Sequence, residues 1–352
     1  SQQHVAQHVA RRIDELCAGN AHRSELDDTG RARLAQALVG LTLEEIDRVV
    51  SRIAVEDKLF SDKDIDLAAS LRADLLADDG VVTLVKPTES LDWLAGFPHL
   101  RTWIGLRHPV LDERARAYGL DPAKGVLLTG VPGCGKSCAV KALATSWQLP
   151  LLRLDAGALF SKFVGDSEQN LRRAFAVAEG MAPSVLWIDE LEKGFSSVGA
   201  SQTDGGLGFR LVGMLLTWMQ ERTQPVFLAA TANNVDSLPP ELMRQGRFDE
   251  IFFVDLPTPQ ERAHQFAIQL ALRRRDYRGY DCAALADASE GFSGAEIEQA
   301  VVNGLYASYG AGVELSTHTL LEQIAATVPL SRSAPDRIDR IRAWGATHAR
   351  PA

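Results

Sequence analysis

The fold of this chain can be read outward from one stretch, Gly125-Val-Leu-Leu-Thr-Gly-Val-Pro-Gly-Cys-Gly-Lys-Ser137. It opens with the apolar run Val126–Leu128, which predicts a buried strand, and it continues after Ser137 with residues at helical spacing. Between strand and helix lies the pattern G-x-x-x-x-G-K-S. A strand, a glycine-rich loop and a helix in this order are the context in which the pattern binds phosphate.

Each part of this predicted phosphate loop has a physical role. Glycines let successive backbone N–H groups curl around phosphate oxygens, and the helix N-terminus adds a partial positive charge. Lys136 is expected to contact the β- and γ-phosphates of a nucleotide, and Ser137 to ligate Mg²⁺. The alternative is a glycine-rich turn that binds no nucleotide. The predicted nucleotide-binding residues of the loop are Gly130, Val131, Pro132, Gly133, Cys134, Gly135, Lys136, Ser137 and Cys138.

Composition limits the classes of protein to consider. The 352 residues are 46% hydrophobic, enough for two or more domains, and the net charge of −9 disfavours a polybasic membrane or nucleic-acid binder. Four cysteines without metal spacing suggest reduced thiols. No apolar run is long enough for a membrane span and no signal peptide is visible, so a cytoplasmic location is expected. The chain starts at Ser1 without methionine, as expected of a processed chain or one lacking upstream sequence.

Four segments are predicted along the chain. Residues 1–78 read as a helical domain, 79–124 as a linker and lead-in, 125–257 as an α/β core, and 258–352 as a C-terminal helical lid. Strands and helices alternate in the core, which is typical of a parallel sheet with crossover helices. Five parallel strands are predicted: Val126–Thr129, Leu151–Asp155, Ser184–Asp189, Val226–Thr231 and Ile251–Val254.

One internal similarity concerns the N-terminal segment. Leu34–Val50 resembles Leu285–Val301 without gaps, both with a helix-capping pattern and a similar apolar stripe. Chance similarity of two capped helices is one explanation. The other is that the N-terminal domain is the lid of an upstream module whose nucleotide core is missing or degenerate.

Two carboxylates follow an apolar strand about fifty residues after the phosphate loop, in Val185-Leu-Trp-Ile-Asp189-Glu190. At the C-terminal end of a parallel strand they point into the ligand crevice. Asp189 is expected to hold the Mg²⁺ shell, and Glu190 to polarise the attacking water as general base. The alternative is a strand that ends in solvated acids.

The next strand leads to Ala232-Asn233-Asn234. The neutral amide of Asn233 can orient the water beside the γ-phosphate without adding charge. A turn role is the alternative for both asparagines, and it is favoured for Asn234. The basic stretch Met243-Arg-Gln-Gly-Arg-Phe-Asp249 follows, which in isolation reads as a helix C-terminus with a glycine stop.

In this order, the motifs resemble those of AAA ATPases of the AAA+ superfamily, over roughly residues 90–330. The motifs are the phosphate loop, Trp187-Ile-Asp-Glu190, Ala230-Thr-Ala-Asn233, Met243–Asp249 and Gly291-Phe-Ser-Gly-Ala295. The resemblance implies ATP with Mg²⁺ as ligands and a homo-oligomeric ring, usually a hexamer. It also implies that Arg244 and Arg247 act in trans on a neighbour's γ-phosphate.

The same resemblance implies further contacts. Gly294 and Ala295 take the place of a second sensor, and backbone near Gly96 and Phe97 contacts adenine. A substrate pore loop is implied at Lys162, Phe163, Val164 and Gly165, with Phe163 gripping an extended polypeptide, and a second one within 196–208. The alternative for Phe163 is a core residue beside a helix cap.

A narrower resemblance is to AAA proteins first described as a hypothetical chloroplast reading frame, found in plastids, cyanobacteria and other bacteria. It is carried by Gly125-Val-Leu-Leu, Leu151–Asp155, Leu216-Thr-Trp-Met-Gln220 and Ile251–Asp255. Such proteins have a degenerate AAA module ahead of the active one, which agrees with the internal similarity.

Three classes of function are consistent with these motifs. The leading one is an ATP-hydrolysing ring that remodels, unfolds or threads a protein substrate of unknown identity through a central pore. A nucleotide-dependent assembly scaffold is the alternative. A nucleic-acid-associated ATPase is less favoured, because no basic tract or helix-turn-helix pattern is present and Phe163 has only Lys162 beside it. No His-Glu-x-x-His motif occurs, so any proteolysis would need a partner.

Overall fold

The computed structural model describes most of the chain, with side chains except at 2–4, 56, 57, 164–166, 205–207 and 209. The described residues are 2–18, 23–38, 41, 43–57, 59–65, 67, 68, 71, 82–107, 115, 117–156, 164–194, 205–244 and 246–352. The predicted capping residue Thr42 lies outside them.

The N-terminal part is helical, as predicted. It contains α1 (Gln2–Cys17), α2 (Asp28–Ala37) and α3 (Leu43–Asp57), and two short strands, β1 (Arg23–Ser24) and β2 (Leu59–Phe60), pair in parallel. The predicted apolar stripes are buried and form one core. Its members include Val9, Ile13, Leu34, Leu38, Ile46 and Val50.

A seven-stranded sheet forms the centre of the second part. Its strands are β3 (Val82–Val85), β4 (Gly125–Gly130), β5 (Leu151–Asp155), β6 (Ser184–Asp189), β7 (Val226–Ala232), β8 (Glu250–Val254) and β9 (Arg350–Pro351), in the order β3-β5-β6-β7-β4-β8-β9. The strands β5, β6, β7, β4 and β8 run parallel to one another, which confirms the predicted parallel sheet.

The prediction of five strands was nevertheless incomplete. The edge strand β3 pairs antiparallel with β5, and β9 adds two residues in parallel to β8. The first lies in the segment predicted as linker and lead-in, because the sequence does not say which strand it pairs with. The second is too short to show a periodic pattern.

Helices cover both faces of the sheet. Alternate residues of β4 belong to different apolar clusters: Val126 packs with α4 (Pro98–Arg107) and α5 (Lys136–Trp147), and Leu127 with α6 (Val164–Gly180) and α7 (Gly205–Glu221). This two-sided burial explains why the parallel strands read as continuous apolar runs. The segment predicted as linker and lead-in therefore contributes β3 and α4 to the core.

The lid begins with α8 (Pro259–Leu272), whose N-cap is Thr258. The cap is reciprocal: the Thr258 side chain accepts the Glu261 N–H, Glu261 accepts the Thr258 N–H at 2.8 Å, and Pro259 occupies the first turn. The lid continues with α9 (Cys282–Ala288), α10 (Gly294–Ala311), α11 (Thr317–Ala326) and α12 (Leu330–Ser333). Its own core contains Phe266, Leu270, Leu285, Phe292, Ile297, Val301 and Leu320.

The last helix of the segment predicted as a lid packs on the core sheet. In α13 (Pro335–His348), Ile338 lies in the core cluster and Arg342 forms an ion pair with Asp255 at 2.8 Å. The amphipathic pattern of this helix predicts burial but not the surface that buries it. No helix in the described part of the chain is both long and apolar enough to cross a membrane.

Candidate active site

The phosphate loop connects β4 to α5. Gly130, Gly133 and Gly135 all have positive φ angles, at +130°, +77° and +88°, and a Cβ on Gly130 would collide with the carbonyl oxygen of Val254. At Gly130, glycine is therefore required both by the positive φ angle and because there is no space for a Cβ atom. The N-cap of α5 is Gly135 and no side chain caps this helix, so its first N–H groups can serve an anion.

Lys136 is buried within this loop, with 5% of its surface exposed. Its ammonium donates hydrogen bonds to the carbonyl oxygens of Gly130 at 3.0 Å and Val131 at 2.8 Å. Burial lowers the pKa of Lys136 to about 8, although neighbouring Cys134 and the carboxylates of Glu192, Asp189 and Glu190 oppose the shift. A negatively charged phosphate beside this buried ammonium would stabilise its protonated form.

Asp189 ends β6 and is surrounded by donors from three elements. Its Oδ1 accepts hydrogen bonds from Ser137 Oγ at 3.2 Å and Thr231 Oγ1 at 2.7 Å, and its Oδ2 forms an ion pair with Arg153 at 3.0 Å. The structure thus brings the two predicted metal ligands, Ser137 and Asp189, into contact. A hydroxyl and a carboxylate are the hard oxygen ligands that Mg²⁺ takes at nucleotide sites, so this donor set fits that ion.

Glu190 follows at once and has a positive φ of 52°, which is uncommon for a residue with a side chain. Its N–H donates to Thr231 Oγ1 at 3.0 Å, and its Oε1 accepts a hydrogen bond from Asn233 Nδ2 at 3.2 Å. Its other oxygen pairs with Lys193. The predicted base and the predicted water-orienting amide therefore lie in direct contact.

Three residues of this site were not predicted: Arg153, which pairs with Asp189, and Thr231 and Glu192. Thr231 is buried at the end of β7 and connects Asp189 with the Glu190 N–H; Glu192 is buried, and its Oε1 accepts the Asn233 N–H at 3.0 Å. Burial raises the pKa of Glu192, against the hydrogen bond from the Asn233 backbone. Thr231 lies in β7 and Glu192 in the 3₁₀ turn Leu191–Gly194 after β6, so only the adjacency of β6 and β7 reveals these roles.

Asn234 has the turn role that was favoured for it. Its Oδ1 accepts the Asp236 N–H at 3.2 Å and caps the 3₁₀ turn Val235–Ser237, and its side chain is exposed. Among the two asparagines, only Asn233 has a described contact with Glu190.

The lid contacts the phosphate loop through the start of α10. The predicted capping box is present, with Ser293 N–H donating to Glu296 Oε2 at 2.7 Å. At the second residue of α10, the Ala295 N–H donates to the Gly133 carbonyl at 2.9 Å. Gly294, the first residue, lies against the same carbonyl. The two predicted sensor positions therefore lie on the phosphate loop.

The two cysteines of the predicted loop are poor nucleophiles. Burial raises the pKa of Cys134 to about 12 and that of Cys138 to about 11. Since the thiolate is the reactive form of cysteine, neither thiol is poised for nucleophilic chemistry near neutral pH.

Gly96 and Phe97 lie beside this loop. Both have positive φ angles, 87° and 61°, and the Phe97 ring is close enough to Gly135 that an added Cβ would be 3.6 Å from Cζ. The Gly96 carbonyl accepts a hydrogen bond from Arg101 Nε at 3.0 Å. This unusual backbone next to the loop is where the adenine contact was predicted.

Arg244 and Arg247 follow a short 3₁₀ turn, Pro240–Met243, where the sequence in isolation reads as a helix C-terminus. Arg244 is exposed and Arg247 is half-buried. Within the described part of the chain, neither guanidinium has a hydrogen-bond or ion-pair partner. Asp249, which ends the same motif, instead binds the N–H groups of Lys124 and Gly125, at 2.6 and 2.9 Å, and anchors the motif to β4.

The predicted pore loop lies largely outside the described residues. Lys162 and Phe163 lie outside the described residues, as does most of the second predicted pore loop, and of Val164 and Gly165 only the helical backbone at the start of α6 is described.

Two family models match the chain. Residues 126–256 match the ATPase family associated with various cellular activities, AAA, and residues 4–79 match the second domain of SpoVK-like AAA ATPases.

Similar proteins occur in algal plastids. The chain is 37% identical over 334 residues to a protein of Guillardia theta and 38% identical over 315 residues to one of Trieres chinensis, each described as uncharacterized AAA domain-containing protein ycf46. These matches take in 95% and 89% of the chain but 65% and 63% of the relatives, so the chain spans less than two thirds of their length.

Solved structures with the same fold include the FIGL-1 AAA domain. It superposes with a TM-score of 0.63 at 19% identity, over 79% of this chain and 95% of that domain. The same domain in complex with ADP gives a TM-score of 0.61 at 20% identity, over 77% of this chain and 94% of that one.

Proposed function

This chain is a member of the AAA ATPase family, with its AAA domain at residues 126–256, and from that premise we propose that it binds ATP with Mg²⁺ and hydrolyses it to ADP and phosphate. One observation carries the proposal. The ammonium of Lys136, the carboxylates of Asp189 and Glu190, and the amide of Asn233 converge at the carboxyl ends of β4, β6 and β7. Ligands bind at such edges in open α/β sheets.

The residues of the loop account for binding. In the ATP complex, Lys136 exchanges the carbonyls of Gly130 and Val131 for the β- and γ-phosphates, and the uncapped N–H groups of α5 donate to the same oxygens. Ser137 and Asp189 would hold Mg²⁺, which would neutralise phosphate charge. The ADP complex of the FIGL-1 AAA domain supports a nucleotide as the ligand.

Glu190 and Asn233 account for hydrolysis. The Glu190 carboxylate takes a proton from the attacking water, and the Asn233 amide holds both this carboxylate and the water in place. Thr231 accepts the Glu190 N–H and holds the Glu190 backbone at its positive φ angle. The carboxylate is therefore already positioned before the reaction begins.

We further propose that the site is completed by a neighbouring subunit in a homo-oligomeric ring, with a hexamer as the expected form. The guanidinium groups of Arg244 and Arg247, which have no hydrogen-bond or ion-pair partner among the described residues, support this proposal. A planar cation donated across the interface suits the charge that develops on the γ-phosphate.

Replacing Arg247 with alanine is expected to lower ATP turnover by about 10³-fold, because the transition state loses its charge partner. Nucleotide affinity should change little. Measuring phosphate release and the binding of a fluorescent ADP analogue separates the two effects. Arg332→Ala, at an exposed position of the lid, is the matched control and should behave as wild type.

Mixing subunits tests whether Arg247 acts in trans. Glu190→Gln subunits retain the arginine and Arg247→Ala subunits retain the base, so their mixture should recover part of the turnover that each lacks alone. If the mixture stays as inactive as its components although the two proteins co-assemble, Arg247 does not act across an interface.

For the work that hydrolysis drives, we propose remodelling or threading of a protein substrate through the ring. The aromatic, aliphatic and glycine residues Phe163-Val-Gly165 support it, because such a loop can grip an extended chain by steric contact. An assembly scaffold remains the alternative, and it requires no such grip.

Replacing Phe163 with alanine is expected to remove the stimulation of ATP turnover by an unfolded protein such as casein, and Phe163→Tyr should retain it. Phosphate release with and without casein measures the effect. Equal stimulation of both variants would favour the scaffold, and binding of DNA that weakens with salt would favour the nucleic-acid class.

A further inference from the structure

Glu192 is a buried acid next to the proposed catalytic residues, and the mechanism above does not use it. It is 7% exposed, and its Oε1 accepts the Asn233 N–H at 3.0 Å. Its Oε2 is buried and has no hydrogen-bond partner among the described residues. A buried carboxylate with one oxygen that has no partner in the described part of the chain costs free energy of folding, and such costs are typical of functional sites.

The sheet does not fix the position of Asn233. The register between β6 and β7 ends at Ala230, and that between β4 and β7 ends at Ala232. Asn233 is the first residue beyond both ladders, and the chain turns immediately afterwards at Val235–Ser237. The hydrogen bond from its N–H to Glu192 is therefore the contact that ties this backbone to the segment after β6.

The contacts form a chain that ends at the reacting centre. Glu192 accepts from the backbone of Asn233, and the side chain of Asn233 donates to Glu190 Oε1 at 3.2 Å. Glu192 and Glu190 are two residues apart. Glu192 therefore accepts from the backbone of Asn233 while Glu190 accepts from its side-chain amide. A shift of the Asn233 backbone would carry the amide away from Glu190.

We propose that Glu192 is a positioning residue for hydrolysis, which holds Asn233 so that its amide reaches Glu190. The proposal rests on the proposed ATPase activity. In this role Glu192 contacts neither the attacking water nor the nucleotide. It contributes one oxygen, which accepts the Asn233 N–H. Glutamine provides that oxygen and alanine does not.

The test uses four variants of the full chain: Glu192→Ala, Glu192→Gln, Asn233→Ala, and the double variant Glu192→Ala/Asn233→Ala. Glu192→Ala should lower kcat by about 10- to 100-fold, as a misplaced catalytic group does, with KM changed less than about threefold. Glu192→Gln should stay within about threefold of wild type, because it still accepts the Asn233 N–H. Affinity for a fluorescent ADP analogue and the Tm are measured for every variant, with exposed Glu290→Ala as control.

The double variant distinguishes positioning from a general structural role. Asn233→Ala keeps the backbone N–H but lacks the amide, so nothing remains for Glu192 to position. Removing Glu192 in that background should lower kcat by less than about twofold. The same 10- to 100-fold loss in both backgrounds, or a loss in Glu192→Gln equal to that in Glu192→Ala, would overturn the proposal.

These outcomes are separable from failure of the proposed function. Wild-type protein that hydrolyses no ATP contradicts the ATPase assignment itself. Wild-type protein that hydrolyses ATP while Glu192→Ala matches it in kcat contradicts only the positioning role. If Glu192→Ala does not fold, an unchanged Glu192→Gln supports the role and a Glu192→Gln with impaired kcat at normal Tm overturns it.

Discussion

Replacing Lys136 with alanine is expected to weaken nucleotide binding by at least about 100-fold, because two charge-assisted hydrogen bonds of about 1.5–3 kcal/mol each are lost. In the structure the Lys136 ammonium donates to the carbonyl oxygens of Gly130 and Val131 within the loop. These bonds already hold it beside the place where the phosphates are predicted to bind. Titration of a fluorescent ATP analogue with each protein measures the change.

Lys141 is the matched control for this substitution. It lies on the same helix five residues later and its ammonium pairs with Glu89 at 2.9 Å, outside the phosphate loop. Lys141→Ala should bind nucleotide as wild type does, and both variants should retain the wild-type Tm within a few degrees. Retained affinity in a folded Lys136→Ala protein would contradict the assignment of Gly130–Ser137 as a phosphate site.

Replacing Glu190 with glutamine is expected to lower turnover by at least about 100-fold while ATP still binds, because the side chain keeps its shape and loses its basicity. The amide oxygen can still accept from Asn233, so the pocket should stay ordered. ATP should therefore remain bound and, in the proposed ring, stabilise the assembly. Phosphate release, bound-nucleotide analysis and size-exclusion chromatography with ATP report these three effects.

Glu290→Gln is the control for the loss of one carboxylate, since Glu290 is exposed in the lid. Its turnover should equal that of wild type. Undiminished turnover in Glu190→Gln would remove Glu190 as the base. The trapped Glu190→Gln form is also the best form for capturing the protein substrate from a lysate.

Local patterns predicted the parts of the site that are contiguous in sequence. The phosphate loop requires glycine at positions with positive φ and a lysine at the first residue of α5, and all of these residues lie within eight positions. The carboxylates at the end of β6 could be predicted for the same reason. A run of apolar residues that ends in two acids is recognised from the sequence without knowing which strands lie beside it.

Contacts between distant segments could not be predicted in this way. Thr231 and Glu192 acquire their roles because β6 and β7 are neighbours and their ends face each other. Arg153 reaches Asp189 only because β5 lies on the other side of β6. In each case the residue type is ordinary, and the sheet order supplies the information that the sequence pattern lacks.

The most direct test of the central claim is a phosphate-release assay on the full chain, run on wild-type and Lys136→Ala proteins purified in parallel with ATP and Mg²⁺. The account predicts steady release of phosphate by the wild-type protein, with ADP as the other product, and none above background by the variant. Equal release by both proteins, or none by either at concentrations where ATP is bound, would contradict ATP hydrolysis at this site.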